Sequence, residues 1–151
     1  MLSLQEISDR LELQQLATEY TYAIDTRDYD RLDAVFLPDA WIDYTEMGGI
    51  AAHYPEMKAW LAMAMAPFGN FLHLIANFDL RIYGNAATGN IACFNPMETP
   101  ERPGGRQVMF MALWYRDTYV RTPQGWRIQT RREDQCCNHN IPPEIRASAQ
   151  A

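Results

Sequence analysis

Cysteine is scarce in this chain: Cys93, Cys136 and Cys137 are all there is, and two of them are adjacent. An odd count with that spacing is no disulfide framework, which points to a reducing, cytoplasmic setting. The spaced cysteine pairs of a zinc site are missing too. Neighbouring sulfurs rarely reach one tetrahedral centre, so Cys136-Cys137-Asn138-His139 is read as no metal site. Positive charge is also short, since 13 Lys and Arg against 19 Asp and Glu leave a net charge of −6. Nucleic acids and anionic membranes both select a basic footprint, so neither is an expected partner. No apolar run approaches the roughly 18 residues of a membrane-spanning helix. The opening Met1-Leu2-Ser3-Leu4-Gln5-Glu6 lacks the basic-then-apolar pattern of a signal peptide. Gly-rich phosphate loops and the G-x-S-x-G nucleophile motif are absent, and nothing calls for a cofactor. These absences leave a small neutral or weakly polar molecule as the expected partner.

What is present suffices for one core. With 151 residues, 48% hydrophobic and 12% aromatic, the chain reads as one domain over residues 1–151. Eight Met and eight Tyr suit an adaptable, partly polar cavity, although both are also ordinary core residues. Leu13, Leu16, Ala17, Tyr20 and Ile24 recur at helical spacing, with Ile7 and Leu11 extending the stripe one turn earlier. Ser3 and Glu6 supply a capping box, so a helix is predicted from about Leu4 to Ile24. A short helix over Tyr29–Phe36 stops at Leu37-Pro38-Asp39. Trp41–Thr45 is strand-like, and Pro55 opens a third helix running to Ala66. Strands are expected over His73–Tyr83, Gly89–Phe94, Gln107–Val120 and Trp126 to about Glu133. Pro96–Gly105 reads as a loop over a pocket mouth, and the polar tail from Asn138 is expected to pack little. Helices first and hairpin-linked strands later predict an α+β fold with a mostly antiparallel sheet.

Three segments together resemble the SnoaL-like branch of the nuclear transport factor 2-like superfamily. They are Tyr22-Ala23-Ile24-Asp25 with Asp28 and Asp30-Arg31-Leu32; Phe36-Leu37-Pro38-Asp39-Ala40 leading into Ile42-Asp43-Tyr44; and His73-Leu74-Ile75-Ala76-Asn77 followed by Gly125-Trp126-Arg127-Ile128. Within that branch the chain is similar to scytalone dehydratase and the bile-acid dehydratases. The resemblance implies a cone-shaped α+β barrel, its strongly curved sheet and N-terminal helices enclosing a pocket. It also implies a His–Asp pair working with a Tyr, no metal, and a homo-oligomer, trimer or dimer. Carried over by position, the Asp is Asp25, the Tyr is Tyr44 and the His is His73. Two departures stand out: Ile24 replaces the Tyr before the Asp, and the position of a second catalytic His falls near Met97, so the chain has no second pocket histidine.

The residues themselves weigh as follows. A lone His at a strand start is more often a packed or surface group than a catalyst. In an extended strand, however, His73, Ile75 and Asn77 share a face that mixes polar and apolar groups, which suits a cavity lining. A neutral His with a carboxylate partner can take a proton near neutral pH. Asp25 alone would be an ordinary helix-end carboxylate; beside His73 it would orient the imidazole. Tyr44 is either a strand aromatic or a phenol that polarises a carbonyl oxygen. Tyr20 sits on the buried stripe with its hydroxyl at the pocket edge, and Asn77 holds ligand or satisfies backbone. Arg132 shares a face with Trp126 and Ile128, so in a regular strand it points inward toward a partner or an anionic ligand. The function expected is a cofactor-independent dehydratase acting on a hydrophobic oxygenated molecule, polyketide-, steroid- or aromatic-like. An isomerase or cyclase with the same dyad, or a non-catalytic binding subunit, are the alternatives.

Overall fold

The computed structural model describes residues 1–143 and residue 145. Helix α1, Leu4–Asp25, begins at the expected capping box. Ser3 Oγ accepts the Glu6 N–H at 3.2 Å, and the Glu6 carboxylate accepts the Ser3 N–H at 2.8 Å. Both bonds satisfy donors that a first helical turn leaves open. Leu13, Leu16, Ala17, Tyr20 and Ile24 are buried, whereas Ile7 and Leu11 stay exposed. The inward position one turn before Leu13 belongs to Asp9, and residues two away from that line face outward. Asp9 is held there by Arg121 at 2.7 Å and by the Trp126 indole N–H at 3.2 Å.

A short 3-10 helix, Tyr29–Ala34, stands where a second α-helix was expected, and strand β1 follows over Phe36–Asp43. Pro38 falls where the pairing of β1 is irregular, between Phe36 and Trp41, so its missing N–H interrupts no ladder bond. Strand β2, Ala51–His53, runs straight into helix α2, Tyr54–Met65, with Pro55 in the first turn. Strands β3 (Leu74–Tyr83), β4 (Ala86–Glu98), β5 (Val108–Thr122) and β6 (Gly125–His139) complete the order. Gly84, at φ 64°, supplies the positive φ that the two-residue β3–β4 turn demands.

The six strands lie in the order β2-β1-β6-β5-β4-β3; β1 and β6 run parallel and the other neighbours antiparallel. This corrects the expectation of a cone-shaped barrel. The sheet is mixed and open, neither closed on itself nor strongly curved. Closure would require β2 to meet β3, and neither edge offers a ladder. β2 has three residues, and the pairing of β3 is broken between Ala76 and Asp79, where Asn77 sits at φ 53°. Short and bulged edges resist further pairing.

The core forms where the α1 stripe packs on the inner face of the sheet, against Ile91, Leu113, Tyr115, Tyr119, Trp126 and Ile128. Strand β4 continues through Glu98, so the loop expected from Pro96 begins only at Thr99. Strand β6 likewise passes Glu133 and carries Cys136 and Cys137, both exposed. The tail was expected to pack little, yet Ile141 is buried against Met97 and Met109. Residues 144 and 146–151 of that tail lie outside the described residues. Among the described residues, no helix is long and apolar enough to cross a membrane.

Candidate active site

Asp25 is the last residue of α1, and His73 immediately precedes β3. Arg27 brings them together. At φ 57° it turns the chain out of the helix, and its guanidinium donates to the Phe68 and Gly69 carbonyls at 2.9 and 2.8 Å. The same guanidinium lies 4.6 Å from the centre of the Phe71 ring. The segment before β3 is thereby tied to the end of α1. Asp25 accepts twice from His73: the backbone N–H donates to Oδ2 at 3.0 Å, and the ring Nδ1 lies 2.6 Å from Oδ1. These bonds offset the unfavourable placement of a carboxylate at a helix C-terminus. A carboxylate on Nδ1 assigns the proton to that nitrogen, and the Nε2 lone pair has no hydrogen-bond partner among the described residues. His73 is on the wall of a cavity, and Asp25 stands behind it.

The cavity encloses about 640 Å³, within the range of small-molecule sites. Its walls come from α1 (Tyr20, Ile24), the β1–β2 connection (Tyr44, Met47, Gly49, Ile50), α2 (Trp60, Leu61, Met65) and the sheet (Met97, Met109, Met111, Leu113, Glu133). Gly49 makes the close approach possible, because a Cβ there would stand 2.8 Å from the Tyr44 Cβ and 2.9 Å from the Trp60 ring. Tyr20 and Tyr44 join hydroxyls at 2.8 Å, and both are buried. Burial raises the pKa of each phenol well above its ordinary value, so both remain neutral donors.

His73, Asp25, Tyr44 and Tyr20 are thus gathered at one cavity, and two other expected residues are not. Asn77 is exposed on the β3 edge, because the bulge it creates breaks the alternation that put it beside His73. Arg132 also faces solvent and forks onto Asp134 at 2.6 and 3.1 Å. The inward arginine is Arg131. In the β5–β6 ladder Thr118 opposes Thr130 while Tyr119 opposes Ile128, so Gln129 is an extra residue that reverses the parity set by Trp126 and Ile128. Arg131 donates to both Asp117 oxygens at 2.8 and 2.7 Å, between the rings of Tyr20 and Tyr115, each 4.1 Å away.

The same reversal brings in a group the sequence did not disclose. Glu133 lies on the cavity wall, buried, and burial is the main cause that pushes its carboxyl up to about 8. Its strand position two residues from Arg131 was the available signal, usable only with the bulge known. No cluster of three metal-binding side chains occurs among the described residues.

The sequence model of the SnoaL-like domain family matches residues 5–132. An uncharacterized protein of Mycobacterium tuberculosis is 50% identical over 137 residues, covering 90% of this chain and 91% of its own. In structure, the chain is similar to a candidate scytalone dehydratase from Novosphingobium aromaticivorans. That match has a TM-score of 0.80 at 16% identity, over 90% of this chain and 89% of the other. It is also similar to a hexachlorocyclohexane dehydrochlorinase from Novosphingobium barchaimii, with a TM-score of 0.77 at 19% identity over 93% and 99% of the two chains. At these identities the two structural likenesses are ones of fold.

Proposed function

The chain belongs to the family of SnoaL-like domains, and from that premise we propose that it is a dehydratase working without a cofactor on a hydrophobic, oxygenated small molecule. His73 Nε2 removes a proton from the carbon α to a carbonyl, and Asp25 stabilises the imidazolium that forms. Of the two joined phenols, one donates to the other, which leaves one O–H free for the carbonyl or enolate oxygen. The leaving group then departs from the β carbon. One observation carries this reading: an imidazole held by a carboxylate at 2.6 Å, its second nitrogen bound by no described residue, on the wall of a largely apolar cavity of about 640 Å³.

The likeness in fold to a dehydrochlorinase favours a second reading, in which the same base expels a halide. In both readings His73 does the same work. Benzylacetone carrying a hydroxyl at its benzylic carbon serves as the test compound, since loss of water gives benzylideneacetone, which is followed by its ultraviolet absorbance. His73→Ala is expected to lower the rate roughly 10²–10⁴-fold. Asp25→Asn should lower it less while leaving ligand affinity near that of the wild type. Equal turnover by wild type and His73→Ala would remove His73 from the mechanism.

A further inference from the structure

We propose that Glu133 is the acid of this site, donating a proton to a hydroxyl leaving group so that it departs as water, and that the substrates are therefore alcohols rather than halides. The inference rests on the elimination reading above and supplies what that reading lacks. Base catalysis at His73 opens the C–H bond, but hydroxide is a poor leaving group without a proton. The phenols do not meet this need, because their shared hydrogen bond and remaining O–H serve the carbonyl oxygen.

The geometry points to Glu133 on three counts. It lines the same cavity as His73. It is 8% exposed, and no hydrogen bond ties down its carboxyl among the described residues. The nearby cation, Arg131, gives Nε and Nη2 to Asp117, and its buried Nη1 makes no bond to Glu133 or to any other described residue. A buried carboxyl left without a partner is costly as an anion and inexpensive as an acid. Burial dominates the upward shift of its pKa. Arg131 beside it on β6 opposes the shift, while Asp117 on β5 and Asp43 on β1 add to it. The other titratable groups coupled to it are neutral: Tyr20 on α1, Tyr44 after β1, Cys93 on β4 and Tyr115 on β5. With its pKa at about 8, Glu133 carries its proton at neutral pH and gives it up within reach of physiological conditions.

The step balances. The proton α to the carbonyl goes to His73 Nε2, and the C–H electron pair becomes the C=C bond. The β C–O bond breaks, its electron pair stays on oxygen, and that oxygen takes the Glu133 proton and leaves as water. The protein is left as His73 imidazolium and Glu133 carboxylate. Transfer of one proton from His73 to Glu133, through the released water, restores both.

The test compares two leaving groups on one skeleton, benzylacetone bearing either hydroxyl or chloride at the benzylic carbon, both yielding benzylideneacetone. Glu133→Gln keeps the volume and removes the proton. It is expected to lower hydroxyl turnover at least about 100-fold and chloride turnover less than about tenfold. Equal losses with both compounds, or none with either, would overturn the assignment. His73→Ala should lower both, so failure of the base and failure of the acid are distinguishable. Independently of turnover, the difference infrared spectrum of wild type minus Glu133→Gln should contain a carboxylic-acid C=O band that titrates away near pH 8. A carboxylate already ionised at neutral pH would refute the proposal, whatever the compounds do.

Discussion

Asp117, buried, and Asp25, half-buried, each hold a cationic or basic partner, and they are finished differently. At Asp117 the Arg131 guanidinium is gripped by two bonds, neither side chain has any exposed surface, and the rings of Tyr20 and Tyr115 close over it. At Asp25 the partner is an imidazole on a cavity wall with one nitrogen bound; the side chains keep 14% and 10% of their exposure. The first pair uses its charges to fix the packing of α1 on the sheet. The second leaves one basic atom that no described residue binds. What separates the two pairs is therefore the second imidazole nitrogen, which no described residue binds, and the cavity beside it; the guanidinium has no such basic atom to leave over.

Breaking the sealed pair should have the largest effect. Asp117→Ala leaves Arg131 buried without its counter-ion and is expected to cost about 3–5 kcal/mol in denaturant unfolding. Asp25→Asn, beside the cavity, should cost about 1 kcal/mol and act mainly on turnover. Equal stability losses at the two sites would erase the distinction. Glu133 sharpens it, being a buried carboxyl with no ion pair among the described residues. Its folded pKa of about 8 exceeds the ordinary 4.5, so between those values the unfolded chain has lost a proton that the folded protein keeps. Wild-type stability then falls as pH rises through that window and levels off above it. Glu133→Gln should remove this slope and raise stability at pH 7 by roughly 3 kcal/mol, read from thermal or urea unfolding at several pH values. An unchanged slope would mean that Glu133 is ionised in the folded state. The smallest effect is expected outside: Arg132→Ala removes an exposed fork onto Asp134 and should change stability by less than about 1 kcal/mol and turnover not at all.

Much of this arrangement was legible in the chain itself, and the illegible part lies where contacts are distant in sequence or a strand departs from regular pairing. The capping box at Ser3 and Glu6 and the Leu13-to-Ile24 stripe follow from local rules, and α1 obeys them. His73 and Asp25 are 48 residues apart, and no local rule joins them; family resemblance proposed the pair and Arg27 explains how it closes. The errors in strand reading come from single inserted residues. Asn77 on β3 and Gln129 on β6 each shift alternation by one, which moved Asn77 and Arg132 outward and Arg131 and Glu133 inward. A period of two is decisive only while it is unbroken, and nothing in the side chain of Gln129 marks the break. The barrel expectation failed on the same kind of detail, since a three-residue β2 and a bulged β3 leave both edges free.

Five methionines, Met47, Met65, Met97, Met109 and Met111, share the cavity wall. Unbranched thioethers re-pack at little cost, so such a wall yields to the outline of whatever it holds. The fixed polar groups on it include an imidazole held by Asp25, a pair of joined phenols, and one carboxyl on a strand. Discrimination in this chamber would then depend on where a molecule carries its oxygens, with its silhouette counting for little, and molecules of different skeleton but matching oxygen placement would compete for the same seat.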